Sequence, residues 1–326
     1  MKVSVCIPTY NSSAYIGECI QSVLAQTGVE YEVVIFDNAS NDGSWEIIKS
    51  FNDSRIRAFR SEQNRGMAVN FNRALGESSG EYIKLLCSDD LLEASALESQ
   101  SKFLDDHGDI SMVTCATRLI DSDGHAFATV RRFPSPVIMN ARGLRAGSLI
   151  YGNIVGEPSA VLFRRDSWLR AGPFQDGLVT LIDLDMWFRL SSEGRIGYLP
   201  VPLCRIRRHR DSMTSQFRGA GKVQEAVQSM TQALLDELRA PTFIRKICMG
   251  KVAASHLRHA LYGVRHGQVK WPASAFAKAY RIDPLFIGLL LYLVLFRSEL
   301  LGLRIGPEGN LSICSAGTLR CVSTTT

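Results

Sequence analysis

Residues 2–37 read KVSVCIPTYNSSAYIGECIQSVLAQTGVEYEVVIFD, and their hydrophobic rhythm decides the fold. Lys2 to Ile7 is a short β-branched run, a strand. Ser12 to Gln26 then carries Ile16, Ile20, Val23 and Leu24 at the three- and four-residue spacing of a helix, and Tyr31 to Phe36 is a second strand. The rhythm continues with a helix at Ser44 to Phe51, a strand at Ile56 to Phe59, a helix at Gly66 to Leu75 and a strand at Tyr82 to Cys87. Such alternation predicts a mostly parallel sheet with helices on both faces, whose ligands bind beyond the carboxyl ends of the strands.

Farther along, the pattern loosens. Residues 118–150 are less regular, with a turn expected at Asp121 to Gly124 and a loop at Pro134 to Pro136. Ser159 to Phe163 reads as a strand, Leu184 to Ser192 as a helix, and Ile196 to Leu199 and Leu203 to Ile206 as closing strands. Beyond Gly221 the periods are helical, at Lys222 to Leu238, Phe243 to Tyr262 and Ala273 to Tyr280, with Pro241, Pro272 and Pro284 at the boundaries. The expected organisation is a domain over 1–218, split into halves at 117, a helical extension over 219–305 and a flexible tail over 306–326.

Charge is unevenly spread. Residues 201–270 hold 13 Lys and Arg against 4 Asp and Glu, so the net charge of +5 is largely the work of one region. Such a block suits a polyphosphate, nucleic acid or an anionic membrane surface, or simply solvated helix faces. Nearby, Leu285 to Phe296 (LFIGLLLYLVLF) contains no charge. As a helix it spans about 18 Å, short of the ~30 Å hydrocarbon core, which favours an interfacial or docking helix over a spanning one. A buried core helix is the other reading. The eight cysteines form no CxxC pair and several sit in strand-like runs, as expected of small hydrophobes in a reducing, cytoplasmic setting. The N-terminal strand lacks the longer apolar region of a signal peptide.

Polar residues collect where the parallel strands should end. Pro8, Thr9, Tyr10 and Asn11 follow the first, Asp37-Asn38-Ala39-Ser40 the second, and Ser88-Asp89-Asp90 the fourth. Adjacent carboxylates repel, so Asp89 and Asp90 need a cation or hydrogen-bond donors; magnesium or manganese is suited to one or two such carboxylates plus substrate phosphates. Capping of a helix over Leu91 to Leu97 is the plainer alternative. Asp37 is placed to accept from a base or ribose, or to close an Asx-turn. No GxGxxG or GxxxxGK[ST] occurs, which removes the main support for dinucleotide and P-loop sites. What remains is a sheet with a base-binding rim and a metal-diphosphate rim, the features of a nucleotide-sugar site.

SVCIPTYNSSAYIGECIQSVLAQ, EVVIFDNASNDGSWEII and QNRGMAVNFNRALGESSGEYIKLLCSDDLL, in this order, resemble the donor half of family 2 glycosyltransferases with the GT-A fold, a Rossmann-like α/β architecture. The resemblance runs through most of residues 1–215. It implies that Pro8, Thr9, Tyr10 and Asp37 hold the nucleobase and ribose, that Asn64, Gly66 and Asn72 belong to a diphosphate-side helix, and that Asp89 is the donor- and metal-contacting acid of a DxD-type motif with Asp90 beside it. Many relatives carry aspartate where Cys87 stands, so the motif here keeps only its last acids.

In LIDLDMWFRLSSEG (181–194), Asp183 takes the position of the family's general base, with Ile182 in place of the usual glutamate and Asp185 as the alternative. Asp183 could equally cap the helix. CRIRRHRDSMTSQ (204–216) is similar to the family's YR-x-H-x-x-S-x-T segment and makes His209 a candidate metal or diphosphate contact, with Ser212 and Thr214 in phase. Trp187 and Phe188 either line the acceptor site or pack in the core. Glu157 and Pro158 match the family without an assigned role.

The implied activity is inverting transfer of a sugar from a UDP- or dTDP-sugar to a hydroxyl of a lipid-linked or polysaccharide acceptor, with a divalent cation, Mg or Mn. It implies work in the cytoplasm at the inner face of the membrane, through peripheral contact and with no nucleic acid partner. A sugar nucleotidyltransferase would need a glycine-rich basic loop where this chain has PTYNSS. A non-catalytic, nucleotide-binding relative that scaffolds a biosynthetic complex is the third reading, kept by the acids missing at 87 and 182.

Overall fold

The computed structural model describes residues 2–178, 181–209, 212, 222–265, 277–282, 301–305 and 311–315. Its first elements are β1 (Val3–Thr9), α1 (Ile16–Leu24), β2 (Tyr31–Asp37), α2 (Ser44–Ser50), β3 (Ile56–Arg60), α3 (Met67–Gly76) and β4 (Tyr82–Leu85). The four strands lie in the order β3-β2-β1-β4, all parallel. Every residue of β1 is buried, as a central strand covered on both faces demands, and α1 turns Ile16, Cys19, Ile20 and Val23 inward.

Beyond β4 the sheet becomes mixed. The elements are β5 (Leu91–Leu92), α4 (Ala96–Asp106), β6 (Ile110–Ile120), β7 (Ala126–Val130), β8 (Val137–Met139), α5 (Ala141–Tyr151), a single 3-10 turn (Pro158–Ala160), β9 (Leu162–Arg164), α6 (Arg165–Ala171), α7 (Ile182–Glu193) and β10 (Arg195–Arg207). The order continues β4-β9-β6-β10-β5, with β9 antiparallel to both of its neighbours and β10 parallel to β6. The expected strand at Ser159 to Phe163 is divided, its first part being the 3-10 turn. The two closing strands are one, β10. Its pairing slips between Leu199 and Pro202 and again between Pro202 and Cys204, because proline has no N–H to give the ladder. The turn at Asp121 to Gly124 closes the β6–β7 hairpin, where Gly124 takes a left-handed φ of 86°.

The chain divides into two compact units, Met1–Ala141 with Asn153–Ser212, and Arg142–Gly152 with Met213–Thr326. The sheet belongs to the first. In the second, α8 (Lys222–Glu237) and α9 (Thr242–Arg265) bury Leu234, Leu235, Ile247, Val252 and Ala253, and Arg245 ties Asp236 at 2.7 Å while donating to the Leu235 carbonyl. Lys251 donates to the Ile150 carbonyl of α5 at 2.6 Å. Where a flexible tail is expected from 306, β12 (Leu311–Ser315) pairs antiparallel with β11 (Leu301–Ile305). The apolar run Leu285 to Phe296 and Thr214 lie outside the described residues, as does most of Ala273 to Tyr280. No helix among the described residues is long and apolar enough to cross a membrane.

Candidate functional site

The three polar segments at the strand ends meet. Asn11, with φ 46°, donates its backbone N–H to Ser40 Oγ at 2.9 Å, and Ser12 shares a 2.7 Å hydrogen bond with Ser88. Pro8 and Thr9 are buried at the end of β1, whereas Tyr10 is 46% exposed at the rim. Asp37 is fully buried at the end of β2. Its carboxylate takes the Ser40 hydroxyl and backbone N–H and pairs with Arg60 Nε at 3.2 Å. This is an Asx-turn with an arginine added, and Arg60 is stacked on Trp45.

A lattice of amides extends from there. Asn38 donates to Asn64 Oδ1 at 2.9 Å and accepts from the Arg65 N–H, while Asn64 accepts from the Gly66 N–H at 2.8 Å. Gly66, at φ 85°, caps α3 in a conformation that disfavours any side chain. Asn70 reaches the Thr9 carbonyl. Asn72 faces elsewhere: its amide bonds both ways with the Phe174 backbone, at 2.8 and 2.7 Å.

Asp89 and Asp90 separate sharply in environment. Asp90 is buried and takes the Ser159 hydroxyl at 2.5 Å and the Arg207 N–H at 2.9 Å. Burial, followed by the charge of Asp89, pushes its carboxyl well above the usual range. Asp89 is the more open acid, and its Oδ2 lies 3.0 Å from His209 Nε2. The Cys87, Asp89 and Asp90 ligand atoms fall within 4.8 Å of one another. Burial and the charges of both acids push the Cys87 thiol well above its ordinary range. A carboxylate beside an imidazole does fit a divalent cation that takes its other ligands from phosphate and water.

Arg207, two residues before His209 in the basic segment 204–216, holds this corner together. Nearly fully buried, it donates to the Asp89 carbonyl at 3.0 Å, to the Ser122 carbonyl at 2.9 Å and to the Glu18 carboxylate at 2.7 Å. Its guanidinium lies over the Tyr15 ring, which also meets the His209 imidazole at 4.8 Å.

Asp183 and Asp185 occupy the first turn of α7. Asp185 is engaged by Arg189 through two bonds of 2.9 and 2.8 Å, and Arg189 continues to the Ala171 and Gly172 carbonyls. Asp183 accepts from its neighbour Leu184 N–H at 2.8 Å and from Asn153 Nδ2 at 3.1 Å. Burial pushes it up to about 6, against the pull of those hydrogen bonds, and the charge of Glu157 adds to the rise. Glu157 is itself paired with Arg208. Trp187 packs in the core against Phe163 and Phe174.

This arrangement can bind an anionic, ring-bearing ligand at one rim and present a carboxylate of raised pKa nearby. Residues 4–168, half of the chain, match the family model for glycosyl transferase family 2, and the chain belongs to that family and is an enzyme of the glycosyltransferase class. An uncharacterized protein of Mycobacterium tuberculosis is 33% identical over 222 residues, covering 64% of this chain and 67% of that protein. EpsE of Bacillus subtilis is 28% identical over 82% of this chain and 98% of its own length. The chondroitin synthase of Pasteurella multocida is 31% identical over 60% of this chain, a stretch that is 20% of that enzyme. Among solved structures, S. aureus TarS 1–349 in complex with UDP-GlcNAc aligns with a TM-score of 0.60 over 97% of both chains at 19% identity. The fold is GT-A.

Proposed function

We propose that this chain moves a sugar from a UDP- or dTDP-sugar to a hydroxyl of a lipid-linked or polysaccharide acceptor, inverting the anomeric centre, with Asp183 as general base. The observation that carries this reading is the state of Asp183. A sugar hydroxyl is a poor nucleophile, and a carboxylate with its pKa raised to about 6 is ionised at neutral pH yet more basic than an ordinary aspartate. The acceptor oxygen gives its proton to Asp183 as it forms the new bond to the anomeric carbon. The bond from that carbon to the diphosphate breaks, and the leaving group departs with the electron pair. Direct displacement from the opposite face gives inversion.

On the donor side, Tyr10 offers a half-exposed ring for stacking, Pro8 and Thr9 precede it with Asp37 paired to Thr9 across β1 and β2, and Asn64 and Gly66 shape the start of α3. Asn72 contributes there only through the Phe174 loop that it clamps. Asp89 and His209 would hold the divalent cation, with Asp90 as the buried brace behind them. A bound cation would offset the charge on the departing diphosphate. The matched stretch of the chondroitin synthase supports a glycan acceptor.

Cys87 favours one rival, a nucleotide-binding relative without catalysis, because a thiol stands where many relatives carry an acid. Nucleotide release separates the two. Purified protein incubated with manganese and a panel of UDP- and dTDP-sugars should release nucleotide from at least one; binding without any release supports the rival, and neither binding nor release removes the donor site as well.

A further inference from the structure

The residues Asn153 to Ser159, NIVGEPS, touch both the base and the acid pair. At one end, Asn153 donates to Asp183 Oδ2 at 3.1 Å and to the Gly156 carbonyl at 3.0 Å. Its Oδ1 accepts the Val155 and Gly156 N–H groups at 3.1 and 2.9 Å, so the amide cannot rotate without breaking several bonds. Gly156 sits at φ 101°, a turn open to glycine, and Thr114 of β6 anchors the Val155 carbonyl at 2.6 Å. At the other end, Ser159 donates to Asp90 and accepts the Cys87 N–H at 3.0 Å.

We propose that Asn153 is a positioning residue for Asp183, and that this strap fixes the base relative to the acid pair. The proposal rests on Asp183 being the base. A carboxylate bonded at Oδ1 by the Leu184 N–H and at Oδ2 by Asn153 has one orientation, leaving its remaining lone pairs for an acceptor hydroxyl. Among the described residues, the charged groups around it are these. Glu157 of the strap faces it, paired with Arg208 just past β10, and Asp185 and Arg189 on its own helix neutralise each other. Asn153 is the one neutral side-chain donor to Asp183 among the described residues.

The test is the pH dependence of kcat for nucleotide release from UDP-glucose and UDP-N-acetylglucosamine with manganese, in wild type, Asp183→Asn, Asn153→Asp and Asn153→Ala. Asn153→Asp keeps the oxygen that accepts from Val155 and Gly156 but sets a second carboxylate against Asp183. It should move the acid limb up by about one pH unit with the donor KM unchanged. Asn153→Ala should move the limb in the same direction and lower kcat; where it fails to fold, Asn153→Asp carries the result. A limb that stays in place in Asn153→Asp while Asp183→Asn is inactive overturns the role of Asn153 alone, as does a loss expressed only in KM. Full activity in Asp183→Asn, or no release by wild type from these two donors or any other UDP- or dTDP-sugar of the panel, overturns the base assignment and this proposal with it.

Discussion

Asp183 and Asp185 stand two positions apart at the start of α7, and the turn of the helix sends them to different partners. Arg189 holds Asp185 as an i,i+4 pair, worth a few tenths of a kcal/mol on an exposed helix and somewhat more with the Gly172 carbonyl also engaged. Asp185→Asn is therefore expected to lower the unfolding midpoint slightly and leave kcat within a few-fold of wild type. Equal and large losses of kcat in both variants would contradict this division. The raised pKa of Asp183 sets the sign of two pH effects. Activity needs the ionised form, so kcat should fall as pH drops through about 6. Stability runs the other way: the folded state holds this proton more tightly than the unfolded chain, whose carboxyl titrates near ~3.9, so the contribution is present below that pH and is lost as pH rises toward 6. Denaturant titrations should show wild type losing stability relative to Asp183→Asn across that window. Sequence placed both acids on the right helix. The resemblance set Asp183 ahead of Asp185 as base; what the sequence does not carry is the difference in their surroundings, which comes from Asn153 and Arg189, 30 and 4 residues away.

At the scale of elements, parallel strands and their crossover helices were legible because each carries its own period. Buried runs such as β1 and the inward stripe of α1 need no distant information. β9 and β10 were harder, since antiparallel insertion of a three-residue strand leaves no periodic trace and prolines interrupt β10. The same strand end brings Arg207 to the acid corner, where it clamps the loop at Asp89, the β6–β7 turn and α1. Removing the guanidinium should free Asp89 and His209 rather than unfold the sheet. Arg207→Gln is expected to raise the manganese concentration for half-maximal nucleotide release by about tenfold, the usual penalty for losing a group that orients a metal ligand. An unchanged manganese requirement would show that the corner is held by Asp90 and Ser159 without it.

Across the whole molecule, the first unit carries every candidate catalytic and donor residue, and most of the basic block from 201 to 270 belongs to the second. The charge count was plain in the sequence, and α8 and α9 were also foreseen within a few residues, whereas the β11–β12 hairpin was not; α9 carries five of the block's cations and no acid, while α8 is net acidic. If the block serves an anionic lipid surface, the full chain should sediment with vesicles containing phosphatidylserine and be released as salt rises, since surface charge attraction is screened within about 10 Å at 0.1 M salt. Failure to sediment at low salt would leave the block as solvated helix faces. The central claim, that Asp183 removes the acceptor proton at a nucleotide-sugar site, is most directly tested by manganese-dependent nucleotide release in wild type and Asp183→Asn side by side, with binding of the UDP-sugar measured by calorimetry. The expected result is unchanged binding with kcat reduced by about 10²–10⁴-fold in the variant. Wild-type turnover by Asp183→Asn would contradict it.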